Sequence, residues 1–328
     1  MSSKAHSAIK RIQRYGQLCL CILVVSALLV ACGKPKVEVK FDRFEQFLFE
    51  PDHGGATAAQ FSSPLLNYQP DNPQFMAAVD GFVNDEAVRY IYHVTDSLYH
   101  DLQWLEQQLG KSLTRAEKLC PSIHYDRFYT LVTADFDDYD NRVYCSDHEL
   151  AISLDHYAVG NMQQYGCFGV PAYIVALCRP EYIVTDCMAA IARQHIVMSD
   201  GQLSLLDCAI AEGKVQYFLE RTVPGAADTL RLRYTGEQLG WMERNVGQVW
   251  AKLIENRMLY CTDMTQLRNI IGEAPKTNAF GEGSAPRTTT YIGWQIVRKY
   301  MQKSGCSMTE LFEETDSQKI LSQSGWRP

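Results

Sequence analysis

The chain lacks an excess of basic residues once its first segment is set aside, and this lack narrows the possible partners. Residues 1–31 contain four of the 31 Lys and Arg and none of the 38 Asp and Glu. Removing them leaves a net charge of −11 at pH 7 with histidine neutral. Such a chain has no general electrostatic attraction for nucleic acid or anionic lipid headgroups, so we expect no nucleic-acid partner.

Several cofactor and nucleophile motifs are also missing. No GxSxG occurs, and GKS at 110–112 fails as a phosphate loop because Leu105 stands where the pattern needs glycine. The acidic stretch 138–149 fails as a calcium loop because Arg142 occupies a ligand position and the required glycine is missing. Because these motifs are missing, we predict no cofactor. We interpret Gly110 as the end of a helix.

The cysteines form no metal motif, since no CxxC occurs. Eight cysteines follow Cys32, and two of them, Cys187 and Cys208, fall in apolar helical stretches. Buried free cysteine behaves as a small hydrophobic residue. We therefore expect mostly reduced core thiols, while a disulfide framework in an oxidising compartment stays open as the alternative.

The N-terminus contains an uncharged apolar run, residues 18–31, that ends at Cys32 and follows four basic residues, Lys4, Lys10, Arg11 and Arg14. These are the parts of a secretory signal. At 1.5 Å per residue the run reaches only ~21 Å, short of a ~30 Å hydrocarbon core. Its ending resembles the lipobox of bacterial lipoprotein signals, which implies cleavage before Cys32 and acylation of that residue. A signal-anchor helix is the alternative.

The chain is therefore divided into a lipoprotein signal peptide (1–31), a lipidated tether (32–40) and a single globular domain (41–328). Within the domain, 128–134, 142–145 and 149–154 are rich in β-branched and aromatic residues and predict a small antiparallel sheet. The segment 85–109 predicts one helix, 50–72 a loop and 231–234 an extended piece. Everything beyond Pro171 is otherwise helical, with two short helices at the end and longer ones over 171–178, 185–198, 203–220, 236–258, 263–271 and 288–303. The fold class is α+β and predominantly helical.

Two of these helices resemble the metal-binding helices of HExxH zinc proteases. In that pattern two histidines one turn apart bind zinc, the Glu polarises water, and the next helix supplies a third ligand. The overlay places His195 at the second histidine and Glu212 at the third ligand, but Ile191 and Ala192 stand at the first histidine and the general base. One His and one Glu cannot hold zinc tightly, so we predict a vestigial cleft with no metal and no catalytic residue.

The order of elements, a small sheet followed by these two helices, matches a gluzincin-like arrangement. A simpler interpretation has the same weight as a vestigial metal site: His195 is a hydrogen-bonded core histidine and Glu212 is a buried acid. His124, Asp155 and His156 are interpreted as surface or loop positions.

With these residues in view, the chain resembles the gliding-motility lipoprotein GldB family of Bacteroidota over nearly its whole length. The resemblance is carried by several motifs: residues 152–157 with Gly160, 205–206, 212–214, 217–218, Tyr234-Thr235 before Gln238, Trp241, Asn245 and Trp250, 259–260, 274–275, 293–298 with Tyr300-Met301, and 322–328. It implies a membrane lipoprotein tied to gliding machinery or linked secretion, with envelope proteins as partners. It also implies a fold similar to zinc proteases that has lost its metal site. Gly33 after the lipidated cysteine favours the outer membrane, periplasmic side.

Three functional hypotheses remain. The first, which we favour, is a non-catalytic scaffold or binding lipoprotein. The second is a zinc-dependent or rearranged peptidase or hydrolase that uses His195 and Glu212. The third is a cleft for peptide or glycan lined by aromatic residues drawn from Tyr157, Tyr165, Tyr291 and Trp294, for which core packing is the preferred alternative.

Overall fold

Four short strands form a mixed sheet in the computed structural model, which describes residues 36–139, 141–162 and 168–328. The strands are β1 (Phe41–Arg43), β2 (Arg127–Leu131), β3 (Val143–Cys145) and β4 (Glu149–Ser153). Their order is β1-β2-β4-β3. β1 and β4 both pair with β2 in parallel, and only β3 pairs antiparallel, with β4.

The prediction of an antiparallel sheet was therefore wrong. β3 and β4 form the expected hairpin, but β4 is buried at every position and lies inside the sheet, beside β2. β3 takes the edge instead of separating β2 from β4. The two faces of the sheet alternate as the pleat requires: Phe128, Leu150 and Ile152 join the main core, whereas Tyr129 and Ala151 pack in a smaller aromatic cluster.

Helices make up most of the rest, which confirms the predicted α+β, predominantly helical class. They are α1 (Phe44–Phe49), α2 (Pro73–Asn84), α3 (Glu86–Leu98), α4 (Gln103–Leu119), α5 (Ala172–Val175), α6 (Ile183–His195), α7 (Leu205–Thr222), α8 (Asp228–Leu232), α9 (Gly236–Glu255), α10 (Met264–Ile271), α11 (Thr288–Ser304), α12 (Met308–Glu313) and α13 (Ser317–Ser324). Among the described residues, no helix combines the length and apolar character needed to cross a membrane. The signal peptide and Cys32 lie outside the described residues.

The predicted 85–109 helix is in fact two helices. α3 ends at Leu98 and α4 starts at Gln103, because Tyr99 and Leu102 turn into the core and the Tyr99 hydroxyl donates to the carbonyl oxygen of Tyr157 (2.9 Å). α4 then continues through Gly110, which is buried within it, so Gly110 does not end a helix. The segment 231–234 is not extended: Arg231 and Leu232 end α8.

The closest helix packing joins α7 to α11. A Cβ atom built on Gly293 would lie 1.7 Å from the carbonyl oxygen of Ala209, and one built on Gly213 would lie 2.3 Å from the Gly293 backbone. The two backbones can approach this closely only because neither glycine carries a side chain. The contact brings α11 and the residues before it against the Glu212 side of α7.

Replacing Gly293 by alanine should therefore force α7 and α11 apart. We expect Gly293→Ala to lower the free energy of unfolding by about 3 kcal/mol, measured by urea denaturation. The matched control is Gly247→Ala in α9, where an added Cβ meets nothing within 4 Å. That control should be stabilising by about 0.5–1 kcal/mol. Equal effects of the two substitutions would contradict this account of the contact.

Candidate functional site

Glu212 lies on α7 facing two arginines. Arg193 of α6 donates from Nε to one carboxylate oxygen (3.0 Å) and from Nη2 to the other (3.1 Å). Arg287, which directly precedes α11, donates from Nη2 to the second oxygen (3.2 Å). Both oxygens of Glu212 are thus engaged by guanidinium groups, in the two-pronged geometry that favours Arg–carboxylate pairs.

His195, the other predicted site residue, is the last residue of α6 and is half-buried. Arg193 and His195 are about 200° apart around the helix axis, so the face of α6 that meets Glu212 carries Arg193. Burial lowers the pKa of His195. Within residues 36–139, 141–162 and 168–328, no group of three His, Cys, Asp or Glu side chains is placed to hold a metal.

The residues at the missing zinc-ligand and general-base positions are core residues. Ile191 and Ala192 are both fully buried in the main hydrophobic cluster. Their side chains contribute to packing, because burial of apolar surface is the main source of stability.

The Glu212 contact is one end of a longer chain of alternating charges. Arg287 also donates to Glu273 (2.9 Å), and Glu273 accepts from Arg233 (2.9 Å). Arg233 donates to Asp186 (2.6 Å), and a guanidinium nitrogen of the buried Arg142 lies 3.6 Å from the same carboxylate. The chain therefore joins α6 and α7 to the β3 edge and to the segments that follow α8 and α10. We call these seven residues the charge chain: Arg193, Glu212, Arg287, Glu273, Arg233, Asp186 and Arg142.

Electrostatics keep two carboxylates of the charge chain, those of Glu212 and Glu273, ionised. Burial by itself raises the pKa of Glu212, but the guanidinium groups of Arg193 and Arg287 outweigh burial and lower that pKa to about 2. The pKa of Glu273 is lowered in the same way, with burial opposed by Arg287 and Arg233. A carboxylate held this way is a poor general base, since it gives up charge only in strong acid.

Two arginines of the charge chain have unusual backbones. Arg233 has a φ of 58° and Arg287 a φ of 46°, both in the left-handed region that side-chain-bearing residues rarely adopt. Such conformations persist only where surrounding contacts hold them, and they concentrate at functional sites. Here both residues donate to Glu273, which lies between them.

A second polar cluster lies at the carboxyl ends of β2 and β4. Asp155 accepts hydrogen bonds from the Ser153 hydroxyl (2.6 Å) and the Ala134 backbone N–H (2.8 Å). The Thr133 hydroxyl lies 3.2 Å from Nε2 of His156, and burial lowers the pKa of that histidine. Asp155 and His156 are almost fully buried, so their interpretation as surface or loop positions was wrong. The signal that could have found them is their place directly after a strand, where parallel sheets gather polar groups.

The comparison with protein families agrees with the whole-length resemblance. The family model for the gliding motility protein GldB matches residues 30–328.

The chain belongs to the GldB family.

No curated protein and no solved structure matches it.

The aromatic residues considered for a cleft in this GldB family member are mostly in the core. Tyr157 and Trp294 are buried, Tyr291 is half-buried, and Tyr165 lies outside the described residues. The indole of Trp294 lies between the guanidinium groups of Arg231 and Arg298 and donates to Glu220 (2.9 Å). Core packing, the preferred alternative, therefore describes Tyr157 and Trp294.

The cysteines and His124 complete the set of predicted residues in this GldB family member. Six thiols form no disulfide in the described part of the chain: Cys120, Cys145, Cys187, Cys208, Cys261 and Cys306. His124 is exposed, as expected, and lies 3.0 Å from Glu117.

The charge chain predicts how stability depends on pH. The folded pKa of Glu212 is about 2 against an ordinary 4.5, so its contribution is complete above pH 4.5 and is lost as pH falls through 2. We expect Glu212→Gln to lower the free energy of unfolding by about 2–3 kcal/mol at pH 7. The deficit should shrink steadily between pH 4.5 and pH 2 in urea titrations.

The exposed Glu313 on α12 provides the control for that experiment. Glu313→Gln should change the free energy of unfolding by less than about 0.5 kcal/mol at both pH 7 and pH 2. A Glu212→Gln deficit that stayed constant from pH 7 to pH 2 would contradict the assigned pairing.

Proposed function

We propose that this GldB family member is a lipid-anchored, non-catalytic scaffold or binding protein of the gliding-motility machinery or of its associated secretion apparatus. The single observation that carries the non-catalytic part is the engagement of both Glu212 oxygens by Arg193 and Arg287. In the zinc-protease overlay, Glu212 is the residue that would bind the metal. The Glu212 carboxylate is already paired with two cations, the guanidinium groups of Arg193 and Arg287.

The proposed descent from a zinc protease explains this exchange in physical terms. A buried carboxylate left without its metal would be an uncompensated charge, which is costly in a protein interior. Arginines from α6 and from the residues before α11 remove that cost. With Ile191 and Ala192 packed in the core, no side chain at those positions can polarise a water molecule.

Anchoring is proposed from the N-terminal signal and from the length of chain that follows it. Only four residues separate Cys32 from Val37, so the five residue steps of an extended tether reach at most ~17 Å. Val37 is already held by the fold, since its backbone N–H donates to Thr114 of α4 (3.1 Å). An acylated Cys32 would therefore keep the domain close to a membrane surface, which we propose is the periplasmic side of the outer membrane.

Binding is supported by a groove of about 620 Å³ between α4, the start of α6 and the link from α7 to α8. Its lining combines apolar, aromatic and cationic side chains, a mixture typical of sites for small or extended ligands. The lining residues of these three kinds include Val184, Val223 and Leu230, then Trp104, then Lys111 and Arg115. A partner in the envelope could dock there without any chemical step.

Zinc binding separates the scaffold from the peptidase alternative. We expect equilibrium dialysis of the purified protein to show no stoichiometric binding of zinc at micromolar concentrations, with His195→Ala no different from the parent. Sub-micromolar zinc binding that His195→Ala abolishes would overturn the proposal. Cleavage of a peptide library that Glu212→Gln abolishes would establish the peptidase instead.

Anchoring is tested at Cys32. We expect radiolabelled palmitate to enter the parent protein but not Cys32→Ala, and the variant to leave the membrane fraction. Cys21→Ala, in the same apolar run, is the matched control and should keep the label. In a deletion strain, the parent gene should restore surface spreading and the level of secreted proteins, and Cys32→Ala should not. Full restoration by Cys32→Ala would count against an anchored role.

A further inference from the structure

A small cavity lies beside the charge chain, between α6, α7 and the residues around α8. Its volume is about 20 Å³. That is room for one guest of about the size of a water molecule, which needs roughly 10–15 Å³. Its polar lining consists of Thr185, Asp186, Arg193, Gln216, Arg231, Arg233 and Arg287. Four guanidinium groups and one carboxylate therefore surround it.

Two of the lining residues, Arg231 and Gln216, carry buried polar atoms without a hydrogen-bond partner among the described residues. Arg231 is only 7% exposed, and its Nε and Nη1 have no hydrogen-bond partner among the residues that the structure describes. Nη2 of Arg231 donates to Asp228, and Nη1 lies 4.0 Å from Glu220. Oε1 of Gln216, which is 3% exposed, is likewise without a partner in the described part of the chain. Buried polar groups of this kind normally have a hydrogen-bond partner, because leaving one unsatisfied in the interior is unfavourable.

The one carboxylate in the lining is already occupied. Asp186 accepts from Arg233 through one oxygen (2.6 Å) and from the Tyr157 hydroxyl through the other (2.9 Å). The charge chain holds four arginines against three carboxylates. The neighbouring set of Arg231, Arg298, Glu220 and Asp228 is balanced. Together they leave one positive charge unmatched.

We propose that this cavity binds one small monovalent anion of about the size of chloride. The anion would accept hydrogen bonds from Arg231 and supply the missing negative charge. The Gln216 amide, whose nitrogen and oxygen are alike in shape, would present its N–H₂ group to the anion after rotation. A phosphate group is too large for the space, and a metal cation would meet four guanidinium groups.

The left-handed backbones of Arg233 and Arg287 fit this assignment. Both side chains line the cavity, and each also donates to Glu273. Several guanidinium groups therefore lie around one small space, and guanidinium groups bind anions through charge-assisted hydrogen bonds. Thr185 and Leu230 line both the cavity and the larger groove, so an ion can exchange with solvent if these two side chains move.

The test is the thermal midpoint of the full protein in sodium chloride and in sodium gluconate at equal ionic strength. Chloride should raise the midpoint saturably, by about 5 °C at a hundredfold excess over its dissociation constant, and gluconate should not. Bromide in place of chloride should give an anomalous difference peak beside Arg231 in crystals. Sodium formate forms a third arm, since a peak or shift with formate alone would mean that the guest is a carboxylate.

Three variants make the outcome decisive. Arg231→Gln should abolish the chloride-dependent shift. Gln216→Glu should also abolish it while the protein stays folded, because a built-in carboxylate takes the place of the anion. Arg298→Lys is the matched control: it keeps the charge balance, and Arg298 contacts the same Trp294 and Glu220 but does not line the cavity, so the shift should persist. Equal midpoints in chloride and gluconate, or a bromide map with only a water molecule in the cavity, would overturn the proposal.

Discussion

The carboxylate of Glu212, held between Arg193 and Arg287, is the interaction on which the rest of the molecule depends. It joins α6, α7 and the start of α11 in one place. Glu212 is partly buried and Arg287 almost fully buried, so removing either partner leaves a charge that water compensates only in part. The charge chain extends that requirement to Glu273, Arg233 and Asp186. Segments far apart in sequence are therefore held in one arrangement.

Close backbone packing makes this arrangement possible. Gly213 follows Glu212 directly, and its contact with Gly293 fixes the distance between α7 and α11. The same two helices meet again through Glu220, which lies 3.3 Å from Arg298 and accepts from Trp294. The two glycines permit the close approach of α7 and α11, and the charged residues form contacts between the two helices. Packing and electrostatics thus support one geometry, which is what gives a fold a single native state.

Sequence reasoning succeeded where the signal was local. The helix α9 begins at Gly236 as predicted, and its start is set by a capping box of Thr235 and Gln238, a motif that needs only residues three apart. The helix α2 was missed although Asn72 and Pro73 form a standard start signal, with Asn72 accepting from Gln74 and Phe75. The break at Tyr99 and the passage of α4 through Gly110 depend on tertiary packing, which overrides local preference. Tertiary packing likewise sets the parallel pairing of β2 with β4, because β4 is the strand that is buried on both faces.

The sequence by itself determined the family, the helical character beyond Pro171, and the absence of the first zinc ligand and of the general base at Ile191 and Ala192. These depend on residue identity and short-range spacing, and both can be read along the chain. Only the tertiary structure decided which charges meet. Arg193, Glu212, Arg287, Glu273, Arg233 and Asp186 span about a hundred residues, and no periodic pattern links them. Their pairing follows from how α6, α7 and α11 pack, because Coulomb attraction and hydrogen bonding act across space at a few ångströms.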